Sequence, residues 1–510
     1  MKKNYYLAIF YFLYSSLSLA QSIHPHQASA YAEVGVLGST AERTPFWLRA
    51  NQFGIIPLSA PGGTLRLGVK GDYLLTDTTS VRSFTHPHRE WTLSYAAEGV
   101  GNAGKTNQLL LPEAYIKLTH RRIELVIGRR RESIGLVDSS LSTGSHSYSG
   151  NALPMPKIQL GTRGFAPLGR RGTVAISSMF SHGWFGKTPF VQGSYLHQFQ
   201  FMLRIGKPSW PVRFYGGGLK NAQWGGRSDF LPSYLAVNGQ LPSRLSDFPN
   251  VAFAIRTNGI NNPRITAYDY VNLYGNHVGQ YDFATELQMF RGFNLMMYHQ
   301  HPFEDLTGIV FQNFPDGLYG IRLRTKTRPK SAFHLNTLVL EILSTVYQSG
   351  PPSKKSLTFG IAGDNYFNNS QYQEGWVYRN QVIGTPFMTR LADAKPEYRI
   401  GYVINNNRVQ VGHVGLSATI AQKIELVGKF SYSRNRGTYQ TPLPNSPTQF
   451  SSILQLGLPV SWLGGSWLTA AVSVDSGQLY ENATGGFISL RKTIWQTPNT
   501  PTPKKPVGRL

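Results

Sequence analysis

Three consecutive arginines, Arg129, Arg130 and Arg131, end the apolar run "ELVIG" that begins at Glu124. A guanidinium is a planar fork of donors that grips a carboxylate or a phosphate with two parallel bonds. The run could therefore hold an acidic sugar or a lipid phosphate. Equally, it could pair with Glu132 and Asp138 or anchor a strand end at an interface. A second stretch, "GDNYFNNSQYQEGWVYRN" from Gly363 to Asn380, carries rings at Tyr366, Trp376 and Tyr378 and polar groups at Asp364, Asn365, Asn368, Asn369 and Asn380. Rings stack on the apolar C–H faces of sugars, and planar amides and carboxylates bond to the hydroxyls. The same residues would also make an interfacial aromatic girdle with an asparagine-rich turn. Trp224 in "NAQWGG" and His182 and Trp184 in "SHGWF" repeat this chemistry on a smaller scale.

Catalytic chemistry has less to stand on. There is no Gly-x-Ser-x-Gly elbow and no His-Glu-x-x-His. In "YHQHPFED", strand alternation puts His299 and His301 on one face near Glu304 and Asp305, a metal-like grouping that a strand end with scattered polar groups explains as well. No catalytic residue, metal ligand or cofactor is expected.

The elements that must position these residues follow from the rest of the chain. It has 510 residues, enough for several ordinary domains or one large all-β unit. Lys2 and Lys3 precede an apolar run from Tyr5 to Leu19, and Ser18-Leu19-Ala20 supplies the small-x-small pattern of a signal-peptidase site, so residues 1–20 read as a signal peptide with Gln21 as the mature start. Cysteine is absent, which excludes disulfide frameworks, thiolate metal sites and a cysteine nucleophile. Without Lys2 and Lys3 the chain holds 48 basic against 26 acidic residues, a net charge near +22. An exported protein with that balance is expected to meet anionic surface polysaccharide and lipopolysaccharide rather than nucleic acid, unless the charge is scattered over solvated loops.

No mature segment reaches the ~18 uninterrupted apolar residues of a membrane helix. The best run, Phe333 to Tyr347, carries His334, Asn336 and Glu341. What recurs is short alternation broken by Gly, Pro and Asn. In "EAYIKLTHRRIELVIG", a turn at His120-Arg121 pairs Leu118 with Ile123 and Ile116 with Leu125, and sets Lys117 against Glu124. Continued past Ile127, that alternation sends Arg130 inward and Arg129 and Arg131 outward at the membrane edge. In "DFATELQMFRGFNLMMYHQ", a three-residue turn with Gly292 left-handed pairs Met289 with Phe293 and Leu287 with Leu295. In "IELVGKFSYS", Ile424, Leu426, Phe430 and Tyr432 face away from Glu425, Lys429 and Ser431. A soluble sandwich would also alternate, but an exported, cysteine-free chain of this length fits the inverted case, with an apolar outside and a polar lumen.

The expected fold is all-β: a transmembrane antiparallel β-barrel of about 18 strands with short helical or irregular accessory segments, in the outer membrane of a Gram-negative bacterium. The barrel spans 21–495, interrupted by long insertions near 220–274 and 363–395; "FLPSYLAV" inside the first reads as a short helix. "SGNALPMPKI" reads as an edge, a turn or an inward-folded loop, because Pro154 and Pro156 cannot join a ladder. Residues 496–510, rich in Pro and Lys, read as a disordered tail.

Seven short segments occur in an order that resembles the Wzi-type capsule assembly family, in a divergent branch. They are "GRRRESIG", "SGNALPMPKI", "FSHGWF", "GGLKNAQWGG", "GNHVGQYDF", "HPFEDLTG" and "GDNYFNN". The resemblance runs from about Glu33 to Trp495. It implies an outer-membrane barrel of about 18 strands with a periplasmic helical part. It further implies a lectin-like role in binding or retaining exported polysaccharide, with polysaccharide export machinery as a further partner. The tail beyond Trp495 departs from barrels that finish at a terminal aromatic. A substrate-specific channel and, more remotely, an envelope lipid or glycan hydrolase remain as other readings.

Overall fold

The computed structural model describes residues 25–75, 91–255, 265–266, 268–269, 272–289, 292–325, 331–351 and 363–497. The expected signal peptide, residues 1–20, and the expected tail beyond Thr497 lie outside the described residues. The strands form a closed antiparallel barrel of 18. They are β1 (Pro25–Ser39), β2 (Gly62–Leu74), β3 (Trp91–Gly104), β4 (Gln108–His120), β5 (Ile123–Arg129), β6 (Lys157–Thr162, resumed at Ala166–Leu168), β7 (Val174–Gly186), β8 (Ser194–Ile205) and β9 (Val212–Trp224). The second half comprises β10 (Asn276–Gln288), β11 (Phe293–Phe303), β12 (Gly317–Thr325), β13 (Phe333–Ser344), β14 (Val409–Ile420), β15 (Ile424–Asn435), β16 (Thr448–Val460), β17 (Ser466–Gly477) and β18 (Ala483–Gln496). Each strand pairs with its neighbours in sequence, and β18 closes the ring on β1 from Gln496 opposite Ser29 to Gly485 opposite Ser39.

Alternation decides which side chains meet lipid. Val34, Val36, Leu65, Leu67, Ile116, Ile127 and Phe201 stand exposed on the outer wall, while Glu33, Arg66, Glu98, Asp282, Gln300 and Glu341 are buried inside. The "FRGF" hairpin forms as expected: Leu287 faces Leu295, Met289 N donates to Phe293 O, and Gly292 is left-handed at φ 79°. On β15, Phe430 and Tyr432 face out, and Lys429 and Ser431 are buried. The β4–β5 hairpin corrects the expected register. Its turn is Arg121-Arg122, with Arg121 left-handed at φ 55°, so Leu118 faces Leu125, Ile116 faces Ile127 and Lys117 faces Val126 rather than Glu124. The slip is two residues, which preserves the faces.

The two ends differ. Most connections at the Pro25 end are short, such as Arg121-Arg122, 206–211 and 421–423, whereas 40–61, 130–156, 225–275 and 345–408 join strands at the other end. Short turns on the periplasmic side and long loops outside are the rule for such barrels, so the long-loop end is the outer mouth. The helical periplasmic part that the resemblance implies does not occur among the described residues; the α-helical turns there are Phe46–Arg49, Phe248–Phe253 and Leu306–Ile309, with Tyr268 and Asp269 also helical, all at the outer end. "FLPSYLAV" makes one turn only: the amides of Leu235 and Ala236 both donate to Pro232 O, and left-handed Asn238 and Gly239 then end it. A helical turn of that insertion forms at Phe248–Phe253 instead.

Three of the outer connections fold back into the lumen. Phe46, Trp47, Ile55 and Ile56 pack against Leu318, Leu343, Ile453 and Phe487 of the wall. On the opposite side, Ile134, Leu153, Met155, Tyr366 and Trp376 pack against Met179, Leu196, Leu219 and Val278. "SGNALPMPKI" is thus an inward-folded loop, with Leu153 and Met155 in the core. The wall's inward polar groups bond to this filling. Glu341 accepts from Ser142 Oγ and from Thr143 N, both at 2.7 Å, Gln280 accepts from Ser147 N at 2.8 Å, Gln300 from His146 N at 3.0 Å, and Asp282 from Leu136 N at 2.9 Å. Gly135 turns the chain here at φ +137°, and a Cβ at that position would collide with Gln300, Ser145 and Gln280.

Glu341→Ala leaves two buried hydroxyls, of Ser142 and Tyr298, and the Thr143 amide without their acceptor, which should cost about 2–4 kcal/mol of plug ordering. Hydrogen exchange at residues 141–147 should quicken accordingly while the strand amides stay protected. Unchanged exchange in that segment would show that Glu341 does not hold the plug.

Candidate functional site

The arginine run is not an outward-facing site. The ladder ends at Arg129, the chain turns into the lumen, and alternation no longer applies. Arg129 Nη1 donates to Pro154 O at 3.0 Å, and Arg131 Nη2 donates to the buried Glu98 at 2.6 Å beside the Phe53 ring. Both residues therefore turn inward, contrary to the outward placement expected from continued alternation. Arg130 points inward as expected, bonded to Glu124 at 2.9 Å and Glu132 at 3.4 Å. Glu132 also pairs with the buried Lys157. Asp138 belongs to another pair, with Arg324 at 2.6 Å. The trio bolts the plug to the wall.

His182, Trp184 and Trp224 do come together, but on the outer wall. His182 lies 5.3 Å from Trp184 and 6.0 Å from Trp224, ring centroid to centroid. Phe248, from the helical turn Phe248–Phe253, covers them, and Lys220 Nζ holds that turn by donating to Val251 O at 2.8 Å. Trp184 stays partly exposed as an interfacial aromatic would. His299 and His301 also face outward, stacked on Tyr319 and Phe311, away from Glu304 and Asp305. Among the described residues no group of three or more His, Asp or Glu is placed to hold a metal.

The "GDNYFNN" stretch divides in two. Tyr366 and Trp376 are fully buried, and Tyr378 nearly so. Tyr366 Oη accepts from Asn313 Nδ2 at 2.7 Å, and Trp376 Nε1 donates to Ser147 O at 2.8 Å. These rings are plug core and offer no open stacking face. Asp364, Asn365, Asn368 and Asn369, by contrast, line a cavity of about 540 Å³ at the outer mouth. Leu273, Leu306 and Ile309 give it an apolar side, with Tyr268 nearby; Asn272, Asn276, His277, Glu304 and Asp305 complete the polar side.

The frame around this cavity is held by short bonds. Asp305 caps the turn Leu306–Ile309, accepting from Thr307 N at 2.9 Å. Asp364 accepts from Ser349 Oγ at 2.8 Å and Thr307 Oγ1 at 3.1 Å. Asn365 Oδ1 accepts from Asn407 Nδ2 at 2.6 Å, and Asn369 Oδ1 from Gln371 N at 2.9 Å. Asn276 Nδ2 and His277 Nδ1 are buried without a protein partner. A buried donor left open is costly unless something fills the space beside it.

Burial, reinforced by the charge of Asp305, pushes the Asp364 carboxyl up to about 7. Burial drives Glu304 well above the usual carboxylate range, and Asp316 beside Tyr366 up to about 6. At neutral pH Asp364 is therefore only partly ionised, and its protonated form donates as well as accepts. Open amides, carboxyls and one apolar flank form a surface that matches a polyhydroxylated ring. Asn272, Asn276, His277, Glu304 and Asp305 were not expected here, although "GNHVGQYDF" and "HPFEDLTG" contain the last four; nothing in the spacing tells that two hairpin ends and the plug meet.

No family model matches the chain, and no curated protein matches it in sequence. Among solved structures it is similar to Wzi of Escherichia coli, an outer-membrane protein involved in group 1 capsule assembly and described as a carbohydrate-binding β-barrel. The TM-score is 0.57 at 14% identity, over 93% of this chain and 86% of that one. OccAB4 of Acinetobacter baumannii matches at TM-score 0.44 and 9% identity, over 92% of this chain and 98% of its own. OpdQ of Pseudomonas aeruginosa matches at 0.45 and 6%, over 92% and 99%. The protein is an outer-membrane β-barrel. At these identities the likeness is one of fold.

The raised carboxyls set a pH dependence. A carboxyl whose folded value exceeds its unfolded one stabilises the fold fully below the unfolded value, near 4, and loses that contribution as pH climbs through the folded value. For Asp364 the loss falls between about pH 4 and 7. Asp364→Asn should remove a component on the order of 2–4 kcal/mol from the fall in stability over that window. Thermal melts at pH 5 and pH 8 check it: the gap between the two midpoints should narrow in the variant, and an unaltered gap would place the titration elsewhere.

Proposed function

We propose that this barrel is a non-enzymatic binder of exported surface polysaccharide, with sugar units seated in the cavity lined by Asp364, Asn365, Asn368 and Asn369. The observation that carries this reading is the coincidence of that half-apolar, amide-rich cavity at the outer mouth with a lumen packed by the plug beneath it. A barrel filled in its outer half by hydrogen-bonded chain is built to hold something at its mouth rather than to pass it through. The fold likeness to Wzi, itself described as carbohydrate-binding, supports the same reading, as does the ordered set of short segments that resembles the Wzi-type family. On this reading retention of a capsule-like or other surface glycan is the role, lipopolysaccharide is the surrounding lipid, and export machinery delivers the polymer. The channel reading draws on the polar inward wall, but that wall is bonded to the plug at Gln280, Asp282, Gln300 and Glu341.

Titration of the purified barrel with the polysaccharide of its own host tests the proposal. The double variant Asn365→Ala/Asn369→Ala should weaken binding about 10- to 100-fold, as loss of one or two hydrogen bonds dictates. The parent barrel should be nearly silent in planar bilayers. Steady conductance together with no polysaccharide binding would replace this reading with the channel.

A further inference from the structure

The arginine run is neutralised inside the barrel, but a different group of arginines is not. We propose that a pocket at the outer mouth, lined by Arg43, Arg49 and Arg399 and backed by Arg390, binds an oxyanion, the carboxylate or phosphate of a surface glycan or glycolipid. The pocket encloses about 240 Å³ between the 40–61 connection, the residues that follow Arg390, and the β17–β18 turn. This site is separate from the asparagine-rich cavity and does not depend on the reading given to it.

The charges within the pocket do not balance. Asp393 is shared by three guanidiniums: it pairs with Arg43, lies 3.8 Å from Arg49 Nη1 and accepts from Arg390 Nε and Nη2, both at 3.3 Å. Arg399 donates through Nε to Ala394 O at 2.9 Å, a neutral acceptor, and is exposed. The other enclosed carboxylate, Asp475, is buried and accepts from Phe46 N at 2.8 Å. Glu42 and Glu481 stand exposed at the rim, and Glu42 faces Lys105. Three enclosed guanidiniums, with the exposed Arg399 at the rim, thus face two enclosed carboxylates. Arg43 Nε is buried without a partner. Burial, and then the charges of Arg49 and Arg390, push the Arg43 guanidinium down to about 8. Guanidinium holds its proton against such pressure, so Arg43 stays charged beside Arg49 and Arg390. An oxyanion entering beside Arg43 and Arg399 would meet forked donors and supply the missing charge.

The test uses the purified full-length barrel with three probes: glucuronate, inorganic phosphate, and nanodiscs with or without lipid A. Arg399→Gln, exposed and outside the core, keeps the fold, as heat-modified gel migration can verify. It should weaken binding of the preferred probe at least tenfold. Asp393→Asn removes the competing carboxylate and should tighten the same probe, and added salt should weaken it. Preference for glucuronate identifies a sugar carboxylate as the ligand group. Preference for phosphate and lipid A identifies a glycolipid phosphate. Binding of none of the three, or binding indifferent to both substitutions, would overturn the proposal.

Discussion

Inside hydrocarbon no backbone donor or acceptor can be left open, and every other feature of this protein follows from how that is met. A strand has two hydrogen-bonding edges, so a sheet in lipid is stable only when its last strand closes on its first. Here the pairing of β18 with β1 removes both edges. Closure then divides each strand by alternation. One side chain in two must be apolar toward lipid, and the other faces a space that lipid cannot reach. The polar side is a consequence of geometry before it is a choice of function.

That polar side creates a second requirement. An inward carboxylate or amide in a space narrowed by packing must find a partner or remain hydrated. In the outer half of this barrel the partner is the chain itself. Backbone amides and hydroxyls of residues 136–147 reach Gln280 and Asp282 on β10, Gln300 on β11 and Glu341 on β13. Each bond serves wall and plug together, so neither is well satisfied without the other. The arginines at the end of β5 extend the scheme with charge: Arg130 and Arg131 settle on Glu124, Glu132 and Glu98 at the point where the chain leaves the wall and enters the lumen.

Much of this was legible in the sequence, and the boundary is instructive. Hairpins with strong alternation and a diagnostic turn were readable down to pairing, as Leu287 with Leu295 shows, because both signals are local. The β4–β5 hairpin was misread by two residues because Arg121 adopts a left-handed turn that its residue type does not announce. Where strands end, local rules end too. Alternation placed Arg129 and Arg131 outside, yet only the tertiary path at Gly128, φ 122°, determines that they turn in. The aromatic and amide stretch after Gly363 mixed two roles that composition cannot separate. Tyr366 and Trp376 fill the core, while the adjacent Asp364, Asn365, Asn368 and Asn369 line the cavity. The cavity's remaining residues come from two hairpin ends far away in sequence, a long-range juxtaposition for which no spacing rule exists.

The positive surplus of the chain also needs to be read by position rather than in total. A net charge near +22 suggests an anionic partner at the outer face only if the unbalanced charge sits there. Inside the barrel, Arg66, Arg130, Arg131 and Arg213 are matched by Glu33, Glu124, Glu98 and Glu286, so the interior contributes little to the surplus. Much of the exposed basic charge, at Arg121, Arg122, Arg163, Arg170, Arg171, Lys423 and Lys492, rings the short-turn end and faces the periplasm. The asparagine-rich cavity at the other end is neutral to acidic. At the outer mouth, then, whole-chain charge says little about partners. What counts there is the local mismatch of three guanidiniums around Asp393 and Asp475, because an enclosed imbalance is screened far less than the same charges spread over a solvated rim.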